Sequence, residues 1–188
     1  LNTRLHRARK AAEEQASRDA LTGLRNRRAM DAHLKTLVET QTPFGLMHVD
    51  LDYFKAVNDT FGHAAGDRVL QAAAGVLVDE MRTEDMVARV GGDEFVIVFE
   101  NLVDNDRLAA IAARIVERLE EPVDFQGQDC RISGSIGYTT SKFYSVPDLD
   151  RMLSDVDLAL YASKKKGRAC STMVTPDLLA SASQSGQA

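Results

Sequence analysis

The chain has 188 residues, of which 44% are hydrophobic and 27% charged, with a formal net charge of −5. These values are typical of one globular domain with an appended segment. No apolar run approaches the roughly 20 residues of a membrane-spanning helix, and the first residues show no signal-peptide pattern. The dispersed basic residues argue against a general nucleic-acid-binding face. Because the first residue is Leu1 rather than Met, we expect a piece of a longer polypeptide that could be membrane-anchored upstream.

The two cysteines, Cys130 and Cys170, are isolated from each other and from any histidine pattern. This spacing predicts neither a disulfide scaffold nor a zinc site. The simpler interpretation is that both cysteines serve as small apolar side chains of a protein in a reducing compartment. We therefore expect a cytoplasmic domain that makes no membrane contact of its own.

The N-terminal segment 1–18 contains no Gly or Pro and predicts a helix. Leu1, Leu5, Ala8 and Ala12 recur at steps of four, three and four, which is a weak heptad pattern. Two interpretations stay open, namely a solvated helix and a coiled-coil linker from an upstream sensor region.

Helix and strand patterns alternate through the rest of the chain. A loop with Gly23 and Asn26 opens a helix that reaches about Thr40, and the short apolar run Phe44–Asp50 predicts a buried strand that ends in a carboxylate. The patterns that follow predict a short helix over 53–61, a longer one over about 64–81, strands at 85–90 and 93–99, a helix over 106–121, strand segments within 130–140, and a final helix between Pro147 and Gly167.

The pair Gly91-Gly92 separates the two strands at 85–90 and 93–99 and predicts a β-hairpin with a two-residue primed turn. Helices that alternate with strands around one central hairpin predict an α/β fold, an α+β sandwich with a mixed central β-sheet flanked by helices. The small polar residues near the C-terminus predict disorder. We divide the chain into a helical linker (1–18), a globular domain (19–175) and a disordered tail (176–188).

Three carboxylates are candidates for a metal site. Asp50 ends one predicted strand, while Asp93 and Glu94 follow the hairpin turn, so neighbouring strands would bring these side chains together. Clustered carboxylates repel one another unless a cation intervenes, and hard oxygen ligands suit Mg²⁺ shared with substrate phosphates. Paired surface acids at strand ends are the competing interpretation. Asp52 directly precedes a predicted helix and is well placed as its N-cap.

Four ordered segments together resemble the GGDEF family of diguanylate cyclases. The signature is Gly91-Gly92-Asp93-Glu94-Phe95, and the other segments are DALTGLRNRR at 19–28, DLDYFKAVNDTFGHAAGD at 50–67 and YASKKKGR at 161–168. The resemblance implies a palm-like, nucleotidyl-cyclase-like sheet with the signature on its central hairpin, and a GGDEF catalytic domain over 19–175. It also implies the joining of two GTP molecules into cyclic di-GMP with release of two pyrophosphates.

The resemblance also assigns roles to individual residues. Magnesium, two ions per site with Mn²⁺ as a substitute, would be held by the carboxylates of Asp50 and Asp93 and the carbonyl of Leu51. Catalytic roles would fall to Asp93, Glu94 and Lys55. Substrate would be bound by Asn58 and Asp67 at the guanine edge, by His63, by the bare backbone at Gly91 and Gly92, and by Lys164 and Arg168 at the phosphates. Without the family, helix-end roles would be the preferred interpretation of Asn58 and Asp67, and a structural role would explain His63 equally well.

Two further features bear on regulation and on fit to the family. Arg82 and Asp85 form an RxxD motif that five residues separate from Gly91, which matches the family's inhibitory cyclic di-GMP site. Arg89 either lines the same region or only decorates the hairpin surface. The family usually has Asn after Gly167-Arg168, whereas this chain has Ala169. We expect that difference to affect local packing more than phosphate binding.

Three functions are compatible with this pattern. The first is an active cyclase that works as a homodimer, since each domain would hold one GTP, and that binds no nucleic acid. The second is a catalytically silent domain that senses GTP or cyclic di-GMP, although all three acids are retained. The third is another nucleotidyl cyclase or a palm-type polymerase. Asn58 and Asp67 argue against this function, because they favour guanine as the bound base.

Overall fold

The computed structural model describes residues 2–185. Its helices are α1 (Asn2–Gln15), α2 (Arg27–Glu39), α3 (Phe54–Phe61), α4 (His63–Asp79), α5 (Asn105–Leu119), α6 (Leu149–Lys165) and α7 (Pro176–Ser185). Its strands are β1 (Arg25–Asn26), β2 (Phe44–Asp52), β3 (Met86–Arg89), β4 (Glu94–Glu100), β5 (Val123–Phe125), β6 (Gln128–Cys130), β7 (Ser133–Thr140) and β8 (Ser171–Met173). Leu1 of the heptad pattern and residues 186–188 of the predicted tail lie outside the described residues.

Six strands form a mixed sheet in the order β1-β3-β4-β2-β7-β8. Strand β2 is antiparallel to β4 and to β7, its two neighbours, whereas the outer strands β1 and β8 run parallel to the strands beside them. Strands β5 and β6 form a separate hairpin. The arrangement confirms the predicted mixed sheet flanked by helices.

The apolar run at 95–99 is buried on both faces of the sheet. Phe95, Ile97 and Phe99 pack with residues of α3, α4 and α5, while Val96 and Val98 pack with residues of α2 and α6. Side chains alternate between the two faces of a strand, so a run that is apolar at every position belongs to a strand covered on both sides. Strand β4 therefore anchors the signature hairpin in both halves of the core.

Helix α6 approaches the sheet closely at Gly137 on β7. A Cβ atom there would lie 3.0 Å from the carbonyl carbon of Ala159 and would overlap backbone atoms of Val156 and Leu160. Only glycine permits such an approach of helix backbone to strand backbone. Gly137 is also the register partner of His48 on β2, so α6 lies beside the strand that carries Asp50.

The signature turn differs from the predicted two-residue primed turn. Arg89 pairs with Phe95, and the N–H groups of Val90 and Gly91 both point to the carbonyl of Glu94, at 2.9 and 3.4 Å. Neither glycine of the signature has a φ in the left-handed region that a primed turn requires. The prediction was wrong because a longer loop, Val90 to Asp93, connects the strands.

The predicted disorder of 176–188 is also wrong for its described part. Residues 176–185 form α7, whose first turn is capped by the Thr175 hydroxyl, which accepts from the N–H of Leu178 at 3.2 Å. Leu178 and Leu179 pack against the core formed by α2 and α6. Two adjacent leucines outweigh the small polar residues that suggested disorder.

Helix α1 confirms the helical prediction for the N-terminal segment. Residues 3–15 of this helix are all exposed to solvent, and Leu5 is 74% exposed. Its use as a signalling linker stays a prediction.

Candidate active site

Three acidic side chains meet at one edge of the central sheet. The β2–β4 register places Asp50 opposite Glu94, and the N–H of Leu51 donates to the carbonyl of Asp93 at 3.1 Å. The signature loop is thereby fastened to the end of β2. The convergence expected from the sequence is observed in the structure.

The cluster is electrostatically crowded. Burial raises the pKa of Asp93, and repulsion from Asp50 and Glu94 raises it further, against the attraction of Lys164 and a backbone hydrogen bond. The ammonium group of Lys164 lies 2.9 Å from the Asp50 carboxylate. Burial and the neighbouring acids both disfavour the ionised form of Asp93, and added positive charge would oppose both effects.

The donor set fits a hard cation that is shared with a ligand. Within residues 2–185, no group of three or more His, Cys, Asp or Glu side chains is arranged to hold a metal ion by itself. The ligands expected from the sequence, the carboxylates of Asp50 and Asp93 and the backbone carbonyl of Leu51, are all oxygen donors. Mg²⁺ typically binds through one or two carboxylates plus substrate phosphates, so a small protein ligand set is compatible with it.

Asp52 does not cap α3, contrary to the expectation from the sequence. The N-cap position is Tyr53, in the left-handed region with φ 65°, and it makes no side-chain cap bond. The Asp52 carboxylate is 1% exposed and accepts hydrogen bonds from the hydroxyls of Ser133 and Ser135, at 2.7 and 2.8 Å, and from the N–H of Ala169 at 3.2 Å. The alternation of β2 turns Asp52 into the layer beneath α6, where it is satisfied by other partners.

Basic residues at and just after the C-terminal end of α6 lie close to Asp50 and Asp52. Besides its contact with Asp50, Lys164 is 3.9 Å from Asp52, and Arg168 is 4.0 Å from Asp52. The guanidinium group of Arg168 also lies over the ring of Tyr53, 5.8 Å from its centroid. Both predicted phosphate-binding residues therefore lie close to the carboxylates at the end of β2.

The residues expected at the guanine and phosphate positions lie on α3 and α4. Asn58 packs closely against Gly66, the residue before Asp67. The contact is so close that a Cβ atom at Gly66 would overlap the Asn58 amide. The two helices are joined at Gly62, which has φ 89°. The structure thus brings Asn58 close to the start of the segment that carries Asp67, while Lys55, His63 and Asp67 are exposed to solvent.

Two arginines hold the signature loop through hydrogen bonds to its backbone carbonyls. Arg89 donates to the carbonyl of Gly92 at 2.7 and 3.1 Å and pairs with Asp19 at 3.2 Å. Arg27 donates to the carbonyl of Val90 at 3.1 and 3.3 Å. Arg89 therefore supports the hairpin, and a role in the inhibitory region stays a prediction. The segment 19–28 therefore serves to hold the signature in place.

The RxxD residues lie far from the acidic edge. Arg82 donates to both carboxylate oxygens of Asp85, at 2.8 and 3.1 Å, and to the carbonyl of Glu100, which ends β4 opposite to Glu94. They border a groove of about 770 Å³ that is also lined by Arg18, Arg25 and His33. The groove is separated from the acids by the length of β4.

Residues 16–170 match the protein family described as "Diguanylate cyclase, GGDEF domain". The chain belongs to this family. The "Diguanylate cyclase DosC" of Escherichia coli strain K12 is 38% identical over 156 residues, which cover 80% of this chain and 33% of that protein. The chain therefore spans about one third of the length of such curated relatives.

Solved structures of GGDEF domains resemble the chain closely. The coiled coil and GGDEF domain of DgcB from Caulobacter crescentus, in complex with c-di-GMP, has a TM-score of 0.83 at 28% identity and covers 91% of this chain and 92% of that one. The diguanylate cyclase SiaD of Pseudomonas aeruginosa, in complex with its activator SiaC, has a TM-score of 0.80 at 28% identity, with coverage of 92% and 67%. These neighbours confirm the fold. In residues 2–185 of this GGDEF domain, no helix is long and apolar enough to cross a membrane.

Sequence reasoning missed one polar residue of the GGDEF domain's site. His48 lies on the same face of β2 as Asp50 and contacts the carboxylate of Glu94. The only signal in the sequence was a histidine two positions before Asp50 within an otherwise apolar strand.

Proposed function

We propose that residues 19–175 form a diguanylate cyclase domain that condenses two GTP molecules into cyclic di-GMP and two pyrophosphates. The observation that carries the proposal is the convergence of Asp50 and Asp93 at one sheet edge beneath Lys164. Membership of the GGDEF family and the names of its relatives support the same reaction.

Asp50, Asp93 and the carbonyl of Leu51 would hold Mg²⁺, or Mn²⁺ in its place, with two ions in each loaded site. Bound metal makes the 3′-hydroxyl more acidic and neutralises the triphosphate. The crowding that raises the pKa of Asp93 supports this ligand set, because a cation relieves it.

The chain's own residues hold and orient the nucleotide. Asn58 and Asp67 pair with the guanine edge, with His63 beside them, and the bare backbone at Gly91 and Gly92 admits the nucleotide. Lys55, Lys164 and Arg168 donate to phosphate oxygens, which both side-chain types do well.

The bond changes follow from this placement. The 3′-oxygen of one GTP attacks the α-phosphorus of the other, and the bond from that phosphorus to the bridging oxygen breaks as pyrophosphate leaves. The 3′-hydroxyl proton passes to the Asp93 carboxylate, which acts as the proton acceptor. A second such step closes the ring.

The reaction requires two domains because each site holds one GTP. We propose an antiparallel homodimer in which the exposed α1, with Leu5 on its surface, carries a signal from upstream. We place the reaction in the cytoplasm, which the two free cysteines Cys130 and Cys170 support.

Product inhibition is proposed to act through Arg82 and Asp85. The groove that they border also contains Arg18 and Arg25, which supply positive charge for phosphate groups. Arg82→Ala is expected to raise the cyclic di-GMP concentration needed for half-inhibition without loss of turnover. An unchanged inhibition curve would contradict this assignment.

The test of the proposal is a Mg²⁺-dependent GTP turnover assay over a range of protein concentrations. We expect cyclic di-GMP and pyrophosphate, with specific activity that rises steeply as dimers form, and competition by ATP should be weak. If concentrated protein with Mg²⁺ forms no cyclic di-GMP, the domain is instead a GTP or cyclic di-GMP sensor.

A further inference from the structure

We propose that Tyr53 is a positioning residue, because the face of its ring holds the guanidinium group of Arg168 where that group meets the phosphates of the nucleotide. The inference rests on the proposed cyclase function, in which Arg168 donates to those phosphates. Tyr53 lies between Asp52, at the end of β2, and the first residue of α3, and it is 58% exposed to solvent.

The backbone around the two side chains brings them together. The Asp52 carboxylate accepts a hydrogen bond from the N–H of Ala169 at 3.2 Å, which fastens the end of β2 to the loop that follows α6. Tyr53 is the residue after Asp52, and Arg168 is the residue before Ala169. The guanidinium carbon of Arg168 lies 5.8 Å from the centroid of the Tyr53 ring, which is within the range of a cation–π contact.

Both sides of this contact have an unusual backbone conformation. Tyr53, Arg168 and Ala169 have φ values of 65°, 67° and 46°, in the left-handed region that residues other than glycine seldom adopt. Such conformations persist only where the surrounding structure holds them, and they cluster at functional sites. Here the hydrogen bond from Ala169 to Asp52 and a bond from the N–H of Arg168 to the carbonyl of Ser163, at 3.1 Å, hold the loop. They fix the backbone from which the Arg168 side chain extends.

The Tyr53 side chain does not serve the helix that it precedes. Tyr53 occupies the N-cap position of α3 but makes no side-chain cap bond. This position usually carries Ser, Thr, Asp or Asn, whose side-chain oxygen accepts a hydrogen bond from the first turn. A residue that breaks a local rule without a local gain indicates another use for its side chain. The ring is largely exposed, so burial in the core does not account for it either.

A contact with a ring face orients Arg168 without using its N–H groups. A guanidinium group carries several N–H donors in one plane, and stacking over a ring leaves them free. Within residues 2–185, the Arg168 side chain makes no hydrogen bond, and its ion-pair partner Asp52 is 4.0 Å away. The side chain is therefore held in place while its donors stay available for phosphate oxygens.

The first experiment compares Tyr53→Phe with Tyr53→Leu in the intact chain. Both variants keep the left-handed backbone and an apolar side chain, but only Phe keeps a ring face. The probe is a GTP analogue with a methylene group between the α- and β-phosphorus atoms, bound in the presence of Mg²⁺. Tyr53→Leu should weaken its binding by about two- to fivefold, the range of an exposed cation–π contact, and Tyr53→Phe should bind it as the wild type does.

Two outcomes of this comparison would overturn the proposal. One is equal affinity of Tyr53→Leu and Tyr53→Phe for the analogue. The other is an equal loss of affinity for guanosine in Tyr53→Leu, because guanosine has no phosphate for Arg168 to bind. A residue that only supports the fold would affect both ligands alike.

The second experiment is a double-mutant cycle between Tyr53 and Arg168. In an Arg168→Ala background, Tyr53→Leu should have no further effect on binding of the analogue, since the group that the ring holds is gone. An undiminished effect in that background would overturn the proposal.

Tyr161→Leu is the matched control. It removes another exposed tyrosine, whose ring lies 5.5 Å from the ammonium nitrogen of Lys165 on α6. Lys165 is not a residue of the proposed site, so the affinity for the analogue should equal that of the wild type. A loss as large as in Tyr53→Leu would show that the effect is not specific to Arg168 and would overturn the proposal.

The third measurement does not depend on nucleotide binding. The Nε–H resonance of Arg168, identified by its loss in Arg168→Lys, should shift in Tyr53→Leu because the ring current is removed, and it should stay close to its wild-type position in Tyr53→Phe. A resonance that ignores Tyr53→Leu would overturn the inference. Wild-type protein that neither binds the analogue nor makes cyclic di-GMP would refute the proposed function instead, and the resonance would still decide whether Tyr53 holds Arg168.

Discussion

Gly137→Ala is expected to disturb both the stability and the site, because Gly137 sets the distance between α6 and the sheet. The new methyl group would lie 3.0 Å from the carbonyl carbon of Ala159 and would overlap backbone atoms of Val156 and Leu160. Backbone atoms cannot rotate out of the way as a flexible side chain can. The whole helix must therefore move outward.

The size of the effect follows from these contacts. Carbon atoms pack best at about 3.5–4.0 Å, so α6 must shift by roughly 0.5–1 Å. Overpacking of this kind costs about 1–3 kcal/mol of unfolding free energy. The same shift moves Lys164 away from Asp50 and Asp157 away from His48, and a misplacement of about 1 Å can lower turnover by up to roughly a hundredfold.

Urea denaturation and GTP turnover of Gly137→Ala measure the two effects separately. Gly134→Ala is the matched control on the same strand, since the tight contact of its new methyl group is with the end of the Leu119 side chain, which can rotate. We expect a smaller loss of stability in the control. If Gly137→Ala is as stable as the control and retains full turnover, the proposed role of α6 in positioning the site is refuted.

Three other substitutions test separate parts of the structure. Ala169→Gly should raise the unfolding free energy measured by urea denaturation by about 0.5–1 kcal/mol, because Ala169 has φ 46° and glycine adopts that region without strain. A lower unfolding free energy in this variant would contradict the argument. Burial raises the pKa of Glu80, but bonds from Arg114 and Arg118 outweigh it and lower the pKa below the ordinary 4.5. The stability that Glu80 contributes is therefore complete above pH 4.5 and lost as the pH falls through its folded-state pKa. The difference in unfolding free energy between the wild type and Glu80→Gln should thus disappear in acid. A difference that does not depend on pH would contradict this. Gly91→Ala should displace the Glu94 carboxylate, which occupies the space of the new methyl group, and lower turnover about tenfold at unchanged stability, and full turnover would show that the space beside Gly91 is not needed.

Local patterns predicted the parts of the fold that depend on nearby residues. The apolar run of β4 indicated a strand buried on both faces, and the carboxylate at the end of β2 indicated an acidic sheet edge. The resemblance of four ordered segments to one family then supplied the residues around that edge, and the structure brings Asp50, Asp93 and Lys164 together.

The features that the sequence did not reveal depend on contacts between distant segments. Asp52 looked like a helix cap, but Ser133 and Ser135 on the neighbouring strand satisfy it instead. The importance of Gly137 becomes visible only when α6 is in place. His48 gave too weak a signal, because its partners Glu94 and Asp157 lie 46 and 109 positions away in the sequence.

The most direct test of the central claim is formation of cyclic di-GMP from GTP by wild-type protein and by Asp93→Asn, with and without Mg²⁺. The substitution keeps the size of the side chain and the backbone bond to Leu51, so the variant should fold and bind its partner copy as the wild type does. We predict Mg²⁺-dependent product from the wild type and none from the variant. Product formation by folded Asp93→Asn at the wild-type rate would contradict the assignment of the acidic edge as the catalytic centre.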